Sequence, residues 1–269
     1  MSTIAPVSVV VPCYRCQATL ERAVSSVVQQ TVRPAELILV DDASGDGTWT
    51  LIQNIQARHG DWIKAVALPG NAGAASARNA GWNLATQPYL AFLDADDAWH
   101  LRKIEIQYAY MQQHPDVALS GHLCRQLPGN TVNAPAWAVA LEGEQVVTWT
   151  ALLLRHQFVT PSVMLKREIG FRFFEGARHM EDHRLWLDVA AAHLRTVKLL
   201  VELAAVYKPV YGASGLSADM WRMEKAELAN YRYFQSLGKL SPIQSVLLQC
   251  YSMVKFVRRL VIARFLHRV

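Results

Sequence analysis

The first half of the chain alternates short apolar runs with segments of helical periodicity. The runs are apolar at nearly every position and rich in β-branched residues, as in VSVVVP (7–12) and YLAFL (89–93). Strands covered on both faces have this pattern, whereas strands with one wet face alternate apolar and polar residues. Between the runs, Leu20, Val24 and Val27 recur at helical spacing. This alternation predicts an α/β fold whose mostly parallel central sheet is flanked by helices.

The same criteria assign the remaining segments. Two more buried strands are predicted at 36–42 and 62–68. A second helix is predicted around Leu51, Ile52 and Ile55, a third at 74–86 and a fourth at 101–114. After residue 116 the alternation loosens, with helices predicted at 149–157 and 179–194 and a strand at 196–203. From Met220 onward the sequence has few helix breakers, which predicts a helical C-terminal tail.

Composition limits the class of protein without choosing a function. With 269 residues, 52% of them hydrophobic, the chain can form one large domain or two closely packed halves. A net charge of +5 suits nucleic acid, anionic lipid or a phosphorylated substrate, and selects none of them. The start lacks the pattern of a signal peptide, no run of about 18 apolar residues occurs, and four cysteines make no disulfide scaffold. A reduced, cytoplasmic setting is therefore expected.

Polar and glycine residues follow each predicted strand of the first half. These segments read PCYR, DDASGDG, PGNAG and DADD. Parallel sheets bind their ligands outside the carboxyl ends of the strands, where such segments meet. The sequence therefore predicts a ligand site at this edge of the sheet.

The densest negative charge of the chain closes the fourth strand. In an extended chain Asp94 and Asp96 point the same way, roughly 6.5 Å apart from two rises of ~3.3 Å. At that distance two bare charges repel by about 2–3 kcal/mol at an effective dielectric of 20. A Mg²⁺ or Mn²⁺ ion between them would remove the repulsion, because both ions prefer oxygen ligands. The alternative is a solvated loop in which Asp97 caps the following helix.

Two other strand ends carry candidate binding residues. Asp41 and Asp42 could accept hydrogen bonds from a nucleobase or ribose, or serve only the turn that follows. Arg78, on the third helix, could hold an anion or lie on the surface. The glycines at 70 and 73 fit neither the dinucleotide-binding fingerprint nor a Walker loop.

A thiol pair offers a rival interpretation. Cys13 and Cys16 lie between a strand and a helix, as thioredoxin-like redox pairs do. The thioredoxin fold does not have acidic residues at its strand ends. Cys124 and Cys250 are isolated in the sequence, which disfavours a zinc site built from the four cysteines. A redox function is therefore disfavoured.

Two acidic residues begin the predicted helix in the second half. Glu181 and Asp182 could simply stabilise the positive end of the helix dipole. Alternatively, the helix holds one of them over the ligand site as a general base.

Taken in order, the segments VSVVVPCYR, ELILVDDASGDGT, NAGAASARNAG, YLAFLDADD and the later ED resemble the family-2 inverting glycosyltransferases. The resemblance covers roughly residues 5 to 215. It implies the GT-A fold, a Rossmann-like nucleotide half joined to an acceptor half. It also implies a nucleotide-diphospho-sugar donor, most simply a UDP-sugar, a glycan or lipid-linked acceptor of cell-envelope or polysaccharide biosynthesis, and no nucleic acid partner.

The resemblance assigns nucleotide contacts to matching positions. Pro12 and Tyr14 would line the nucleotide pocket, and Asp42, with Asp41 beside it, would contact the base. Arg78 would contact the nucleotide.

Metal and catalytic roles follow in the same way. Asp94 would approach the ribose or the metal, and Asp96 would ligate the Mn²⁺ or Mg²⁺ ion that bridges the diphosphate. Asp182 matches the catalytic base, with Glu181 beside it. Lys208 is the candidate for the diphosphate loop.

The chain departs from the family pattern at several places. Arg15 stands where an asparagine is common, and Asp188 where relatives often carry an arginine. No QxxRW-like motif follows the proposed base, which favours single sugar transfers over processive synthesis.

The resemblance divides the chain into three parts: residues 1–115 as the nucleotide-sugar half, 116–218 as the acceptor and base half, and 219–269 as a helical extension. In the extension one helical face carries Val246, Cys250, Val254, Val257 and Val261, and the opposite face carries Lys255, Arg258 and Arg259. The helix either packs on the domain with its basic face in solvent, or lies on an anionic membrane surface at the inner face of the cell membrane.

Two other functions remain as alternatives. A sugar-phosphate nucleotidyltransferase has a related sheet but needs a glycine-rich basic loop after the first strand, where PCYRCQATLER has no glycine. A catalytically silent nucleotide-sugar-binding protein is the second alternative, and the intact Asp94, Asp96 and Asp182 argue against it.

Overall fold

The computed structural model describes residues 4–128, 137–207 and 219–266. Within them one sheet is flanked by helices on both faces. Its strands are β1 (Ile4–Cys13), β2 (Arg33–Asp41), β3 (Ile63–Ala67), β4 (Tyr89–Phe92), β5 (Ala98–Trp99), β6 (Val117–Gln126), β7 (Glu144–Val146), β8 (Met164–Lys166) and β9 (Arg195–Val206). The helices are α1 (Leu20–Val28), α2 (Thr48–His59), α3 (Ala74–Leu84), α4 (Lys103–Gln113), α5 (Trp149–Leu154), α6 (Glu181–Ala191), α7 (Met220–Ser236) and α8 (Pro242–Leu266).

The strands run in the order β3-β2-β1-β4-β8-β6-β9-β5, with β7 paired to β9. The first four are mutually parallel, as the alternation of strands and helices predicts. Beyond them the sheet is mixed, because β8 lies antiparallel between β4 and β6 while β6 and β9 pair in parallel. The short strands β5 and β7 are antiparallel additions to β9. The parallel order therefore holds where the carboxyl ends form the predicted site.

Both faces of the sheet are covered, which accounts for the continuous apolar runs. In β1, Val9 and Val11 pack into the core beneath α1, α2 and α4, whereas Val10 belongs to the core beneath α3, α6 and α7. All three valines are fully buried. A strand with one wet face would carry exposed polar residues at alternate positions, whereas the polar residue of β1, Ser8, is itself fully buried.

Helix α3 approaches the sheet closely at Gly81. A Cβ atom at this position would lie 2.4 Å from Cγ1 of Val10 and 3.2 Å from Cγ2 of Val40. Real Cβ atoms do not come this near to other carbons, so only glycine lets α3 rest on β1 and β2. Arg78 lies one turn earlier on the same helix, which makes its height above the sheet depend on this contact.

The two C-terminal helices pack on the domain through an inward face that is partly charged. Arg259 of α8 donates to the fully buried Glu224 of α7 at 2.6 Å, and Lys255 contacts Glu227 at 3.2 Å. The expectation that these two cations form a solvated face is therefore wrong. The helical spacing of residues shows which side chains share a face, but it does not show which face of α8 packs on the domain. The carboxylates of Glu224 and Glu227 on α7 determine this, because they pair with Arg259 and Lys255.

The outward face of α8 is apolar instead. Its large exposed side chains are Ile243, Val246, Leu247, Tyr251, Val254, Val257, Leu260, Val261 and Ile262. Ile243 is 74% exposed and Val254 is 69% exposed. No helix in the described residues is both long and apolar enough to cross a bilayer.

Candidate functional site

A cavity of about 520 Å³ opens at the carboxyl edge of the parallel strands. Six of the residues predicted for the site line it: Pro12, Tyr14, Asp42, Arg78, Asp94 and Asp96. Asp41, Glu181 and Asp182 are not in the cavity wall. Lys208 lies outside the described residues.

Asp42, at the end of β2, is bound to the loop that precedes α3. Its carboxylate accepts hydrogen bonds from the backbone N–H groups of Ala72 and Gly73 at 2.7 and 2.8 Å, and from the amide of Asn71 at 2.9 Å. Gly73 has a φ of +92°, which a side chain would strain. Asp42 thus shapes one wall of the cavity by fixing this loop.

Asp41 is buried and turned toward the chain that follows it. Its carboxylate accepts a hydrogen bond from the hydroxyl of Ser44, and Ser44 in turn accepts one from the backbone N–H of Arg15 at 3.0 Å. The residue therefore ties the β2 loop to the β1 loop.

Arg78 joins the two acidic motifs of the chain. It is 5% exposed and donates through Nη2 to Asp94 at 2.8 Å and through Nη1 to Glu181 at 2.9 Å. Burial alone would lower its pKa, but the carboxylates of Asp94 and Glu181 outweigh burial and raise the pKa above its ordinary value. The guanidinium is therefore a fixed positive charge between the end of β4 and the start of α6.

Asp94 and Asp96 both face the cavity, and their oxygen ligands fit a divalent cation. Arg22 donates to the backbone carbonyl of Asp96 at 2.5 Å, which fixes the end of this turn. Among the described residues no group of three acidic, histidine or cysteine side chains could hold a metal alone. Mg²⁺ and Mn²⁺ commonly take one or two carboxylates and complete their coordination with phosphate oxygens and water, so the pair suits an ion bound together with a diphosphate.

The expected capping role of Asp97 is wrong. Helix α4 begins at Lys103 with Arg102 at its N-cap, and the side chain that accepts from its first turn is Gln30, which binds the backbone N–H of Ile104 at 2.9 Å. Asp97 is buried and accepts from the backbone N–H of Tyr207 at 3.4 Å. The turn and β5 intervene between the acidic run and the helix.

Asp182 lies in the first turn of α6, behind the cavity. Thr160 donates to its Oδ2 at 3.0 Å, and the backbone N–H of His183 donates to its Oδ1 at 2.7 Å. Nε2 of His156 lies 3.7 Å from Oδ1. His156 follows α5, a position that no sequence motif marks.

The adjacent acids Glu181 and Asp182 have pKa values displaced in opposite directions. Burial raises the pKa of Glu181, and the neighbouring Arg78 only partly offsets this. Burial also acts on Asp182, but its pKa is brought below the ordinary range by His156 and, more weakly, by Arg78. Of the two acids, Asp182 is therefore the one that keeps its negative charge down to the lower pH.

Strained backbone marks three borders of the site. In the described residues four non-glycine positions have positive φ, and three of them adjoin predicted site residues: Arg15 beside Tyr14, Ala43 beside Asp42, and Met180 before Glu181. A positive φ raises the conformational free energy of a residue that has a side chain, and residues strained in this way cluster at functional sites.

Two exposed arginines in the cavity wall were missed by sequence reasoning. Arg15 and Arg178 line the cavity together with the buried Arg78. In the sequence Arg15 stands out only because it replaces an asparagine common in the family. Arg178 lies in the segment before α6, where no motif indicates a binding residue. Three guanidinium groups and three carboxylates, from Asp42, Asp94 and Asp96, thus surround one space, which suits an anion bound with a cation.

The two thiols of Cys13 and Cys16 are buried, whereas a redox pair must be accessible for thiol–disulfide exchange. Cys13 and Cys16 are both free thiols in the wall of the cavity. The hydrogen bond with Cys16 and burial raise the pKa of the Cys13 thiol well above its ordinary value. A thiol held in this state is a poor nucleophile.

Comparison with known proteins agrees with this arrangement. The model of glycosyl transferase family 2 matches residues 8–172, which span β1 to the segment before α6. Escherichia coli UDP-Glc:alpha-D-GlcNAc-diphosphoundecaprenol beta-1,3-glucosyltransferase WfgD is 29% identical over 184 residues, which cover 68% of this chain and 69% of that protein.

Two solved structures share the fold. Staphylococcus aureus TarS 1-349 in complex with UDP-GlcNAc has a TM-score of 0.69 at 15% identity, covering 94% of this chain and 72% of that one. The mannosyltransferase PcManGT of Pyrobaculum calidifontis, in complex with GDP-Man and Mn2+, has a TM-score of 0.67 at 18% identity, covering 96% and 75%. The mixed α/β sheet is thus a GT-A fold, as the sequence predicts. The chain belongs to glycosyl transferase family 2.

Proposed function

We propose that the protein transfers a single sugar from a nucleotide-diphosphate donor, most simply a UDP-sugar, to a glycan or lipid-linked acceptor in cell-envelope polysaccharide synthesis. The relative WfgD is named for a UDP-Glc donor and a diphosphoundecaprenol-linked acceptor, and TarS was solved with UDP-GlcNAc. Family membership favours transfer of a sugar over transfer of a nucleotidyl group, the main alternative.

One observation supports this proposal above the others. Arg78 contacts Asp94 in the cavity wall and Glu181 beside Asp182, so the proposed donor site and the proposed base share one buried ion-pair network. A protein that only bound a nucleotide would have no need to tie its binding site to a second carboxylate behind it.

The proposed reaction is a single displacement with inversion. Asp182 removes the proton from an acceptor hydroxyl, whose oxygen attacks the anomeric carbon from the face opposite the nucleotide. The cavity cations Arg15, Arg78 and Arg178 hold the phosphate charge in place. Glu181 keeps Arg78 oriented and does not itself touch the reacting atoms.

Asp96 and Asp94 would hold the divalent cation. When bound, a Mn²⁺ or Mg²⁺ ion acts as a Lewis acid that stabilises the charge of the leaving diphosphate. PcManGT was solved in complex with GDP-Man and Mn2+, which supports this choice of ion.

The proposal includes a place at the inner face of the cell membrane. Contiguous apolar surface of the kind found on α8 marks an interaction site. After Glu227 the sequence contains seven lysines and arginines and neither aspartate nor glutamate. Lys255 and Arg259 are paired with α7, so the basic residues that remain for a lipid surface are the other five: Arg232, Lys239, Arg258, Arg264 and Arg268. An apolar stripe on an acid-free basic segment fits an anionic lipid surface, which is also where a lipid-linked acceptor would be met.

The function is tested most directly by a thermal-shift screen. Melting temperatures are measured with UDP, GDP, CDP and dTDP and with their common sugar conjugates, each with and without Mn²⁺. The proposal expects stabilisation by one nucleotide family that increases with Mn²⁺, followed by release of that nucleotide from its sugar conjugate. Stabilisation by none of them would contradict the proposal, as would formation of the nucleoside triphosphate and a sugar 1-phosphate when pyrophosphate is added to the nucleotide sugar.

A further inference from the structure

Behind the cavity, Asp182 faces an imidazole on the side opposite its hydrogen bond with Thr160. Thr160 occupies Oδ2 at 3.0 Å, whereas Nε2 of His156 approaches Oδ1 at 3.7 Å. The second distance is an ion-pair contact, about 1 Å longer than a hydrogen bond. Because His156 lies in the loop after α5, a small rotation of its ring would close that gap.

The surroundings of His156 favour its protonated form. The ring centre lies 4.3 Å from that of His183, with the two planes tilted by 38°. The pKa of His183 is itself lowered well below the ordinary value by burial and by His156. The charged and titratable groups that face the two rings from α6, α7 and α8 are Glu181, Asp182, Glu227 and Lys255. Burial alone would lower the pKa of His156, but Asp182, together with Glu227 and Glu181, raises it above the ordinary value.

Asp182 is a weak base when it acts alone. Neutral His156 does not lower its pKa, but even an ordinary aspartate, with a pKa near 3.9, holds a transferred proton poorly at neutral pH. An imidazole whose pKa lies above 6.5 holds that proton well. The side chain of Asp182 is 18% exposed and that of His156 is 34% exposed, so His156 can also return the proton to water.

We propose that Asp182 and His156 act as one proton-accepting pair, in which Asp182 faces the acceptor hydroxyl and neutral His156 stores the proton. This inference rests on the proposed function. The O–H bond of the acceptor breaks as its oxygen bonds to the anomeric carbon. The bond from that carbon to the phosphate oxygen breaks, and its electron pair leaves with the nucleotide diphosphate. The proton passes through Asp182 to Nε2 of His156, so that Asp182 ends ionised and His156 ends as imidazolium.

His156 is thus a positioning and proton-storing partner of Asp182, and not a group that touches the sugar. The pair accepts a proton only while His156 is neutral. The rate should therefore rise with pH through the raised pKa of His156 and level off above it. A residue that only supported the loop would change the rate by the same factor at every pH.

The first test measures the pair without any substrate. Imidazole titrations are followed by NMR in the wild-type protein and in Asp182→Asn, and His156→Gln identifies the resonance of His156. The pair requires that His156 titrate above pH 6.5 in the wild type and at lower pH in Asp182→Asn. An unchanged titration would overturn the proposal.

The second test compares the pH profile of nucleotide release from a UDP-sugar with Mn²⁺ in the wild type, His156→Gln and the distant control His59→Gln. We expect His156→Gln to lose about tenfold in kcat at pH 8, to keep the donor KM within about twofold, and to lose the rise between pH 6 and 8. His59→Gln should match the wild type. If His156→Gln retains the rise, the pair is wrong. Absence of release by the wild type would contradict the proposed function instead, and the NMR titration would still decide the pair.

Discussion

Arg78 donates to Glu181 across 103 positions of sequence, at 2.9 Å and in a site where both side chains are almost wholly buried. The ion pair connects α3, which begins at the rim of the cavity, to the first turn of α6. Since Arg78 also binds Asp94, one guanidinium fixes the relative position of the proposed donor site and the proposed base. A charge in this position contributes to stability and to catalysis at the same time.

Replacement of Arg78 by alanine should lower the free energy of unfolding by about 3 kcal/mol, because it leaves the buried Glu181 and the half-buried Asp94 without their partner. Urea unfolding followed by circular dichroism measures the loss. Arg102→Ala is the matched control, since its pair with Glu105 is partly exposed and should cost less than about 1 kcal/mol. Equal losses in the two variants would show that the network adds nothing.

The variant Asp182→Asn should lose about 10²- to 10⁴-fold in sugar transfer while it binds the nucleotide sugar as tightly as the wild type. The amide keeps the shape of the side chain but cannot accept a proton. Asp188→Asn makes the same chemical change farther along α6 and should retain activity. Transfer rates and calorimetric binding separate the two effects, and weakened binding in Asp182→Asn would remove the residue from the role of base.

Asp96→Asn should abolish the part of nucleotide binding that depends on Mn²⁺. Loss of one carboxylate leaves Asp94 as the single acidic ligand from the turn, and Asp94 is already paired with Arg78. We expect the dissociation constant for the nucleotide diphosphate to rise about tenfold with Mn²⁺ and to change little without it. Asp61→Asn, an exposed aspartate in the turn before β3, is the control and should behave as the wild type. Binding with an undiminished response to Mn²⁺ would exclude Asp96 as a ligand.

Asp188 gives the fold a specific dependence on pH. Burial raises its pKa to about 6, above the unfolded value near 3.9. The folded state therefore binds the proton more tightly, and stability falls as pH rises from about 4 to 6 and stays at the lower level above that range. Asp188→Asn should raise the free energy of unfolding by about 1–2 kcal/mol at pH 7.5 and leave it unchanged at pH 3.5. A gain of the same size at both pH values would assign it to packing instead.

Charge placed on the outward face of α8 should weaken association with anionic vesicles. Val254→Glu changes a residue that is 69% exposed, so the fold should tolerate it. We expect co-sedimentation with phosphatidylglycerol vesicles to fall at least fivefold, while Val254→Gln loses less and both variants keep the wild-type melting temperature. Point variants are preferable to removal of residues 241–269, which would leave Glu224 and Glu227 without Arg259 and Lys255. Equal pelleting of all three proteins would exclude this face as the membrane contact.

The sequence predicts the parallel half of the fold closely, because local pattern and burial agree there. The runs that contain Val10 and Ile38 are apolar at nearly every position, and both residues lie in one core against the sheet. The placement of β8 could not be read in the same way. Its three residues, Met164–Lys166, are too few to show a period, and only long-range pairing with β4 and β6 defines them as a strand.

The sequence correctly predicts most residues of the cavity wall, but it does not predict which contacts each of them makes. The order of strand ends brings Asp94, Asp96 and Arg78 together, and the structure places all three in one wall. The hydrogen bonds of Asp42 to the loop before α3 depend on the path of that loop, which sequence alone leaves open. His156 is invisible to motif analysis, since it meets Asp182 only because α5 and α6 pack side by side.

The contact between Gly81 and Val10 makes the proposed chemistry sensitive to a position that touches no ligand. A methyl group at 81 would have to lift α3 from the sheet, and Arg78, one turn away, would move with it. Variants of this glycine could therefore remain folded and still separate Arg78 from Glu181. In a survey of random mutations, position 81 would look like part of the active site, although its only function is to set the spacing between a helix and a strand.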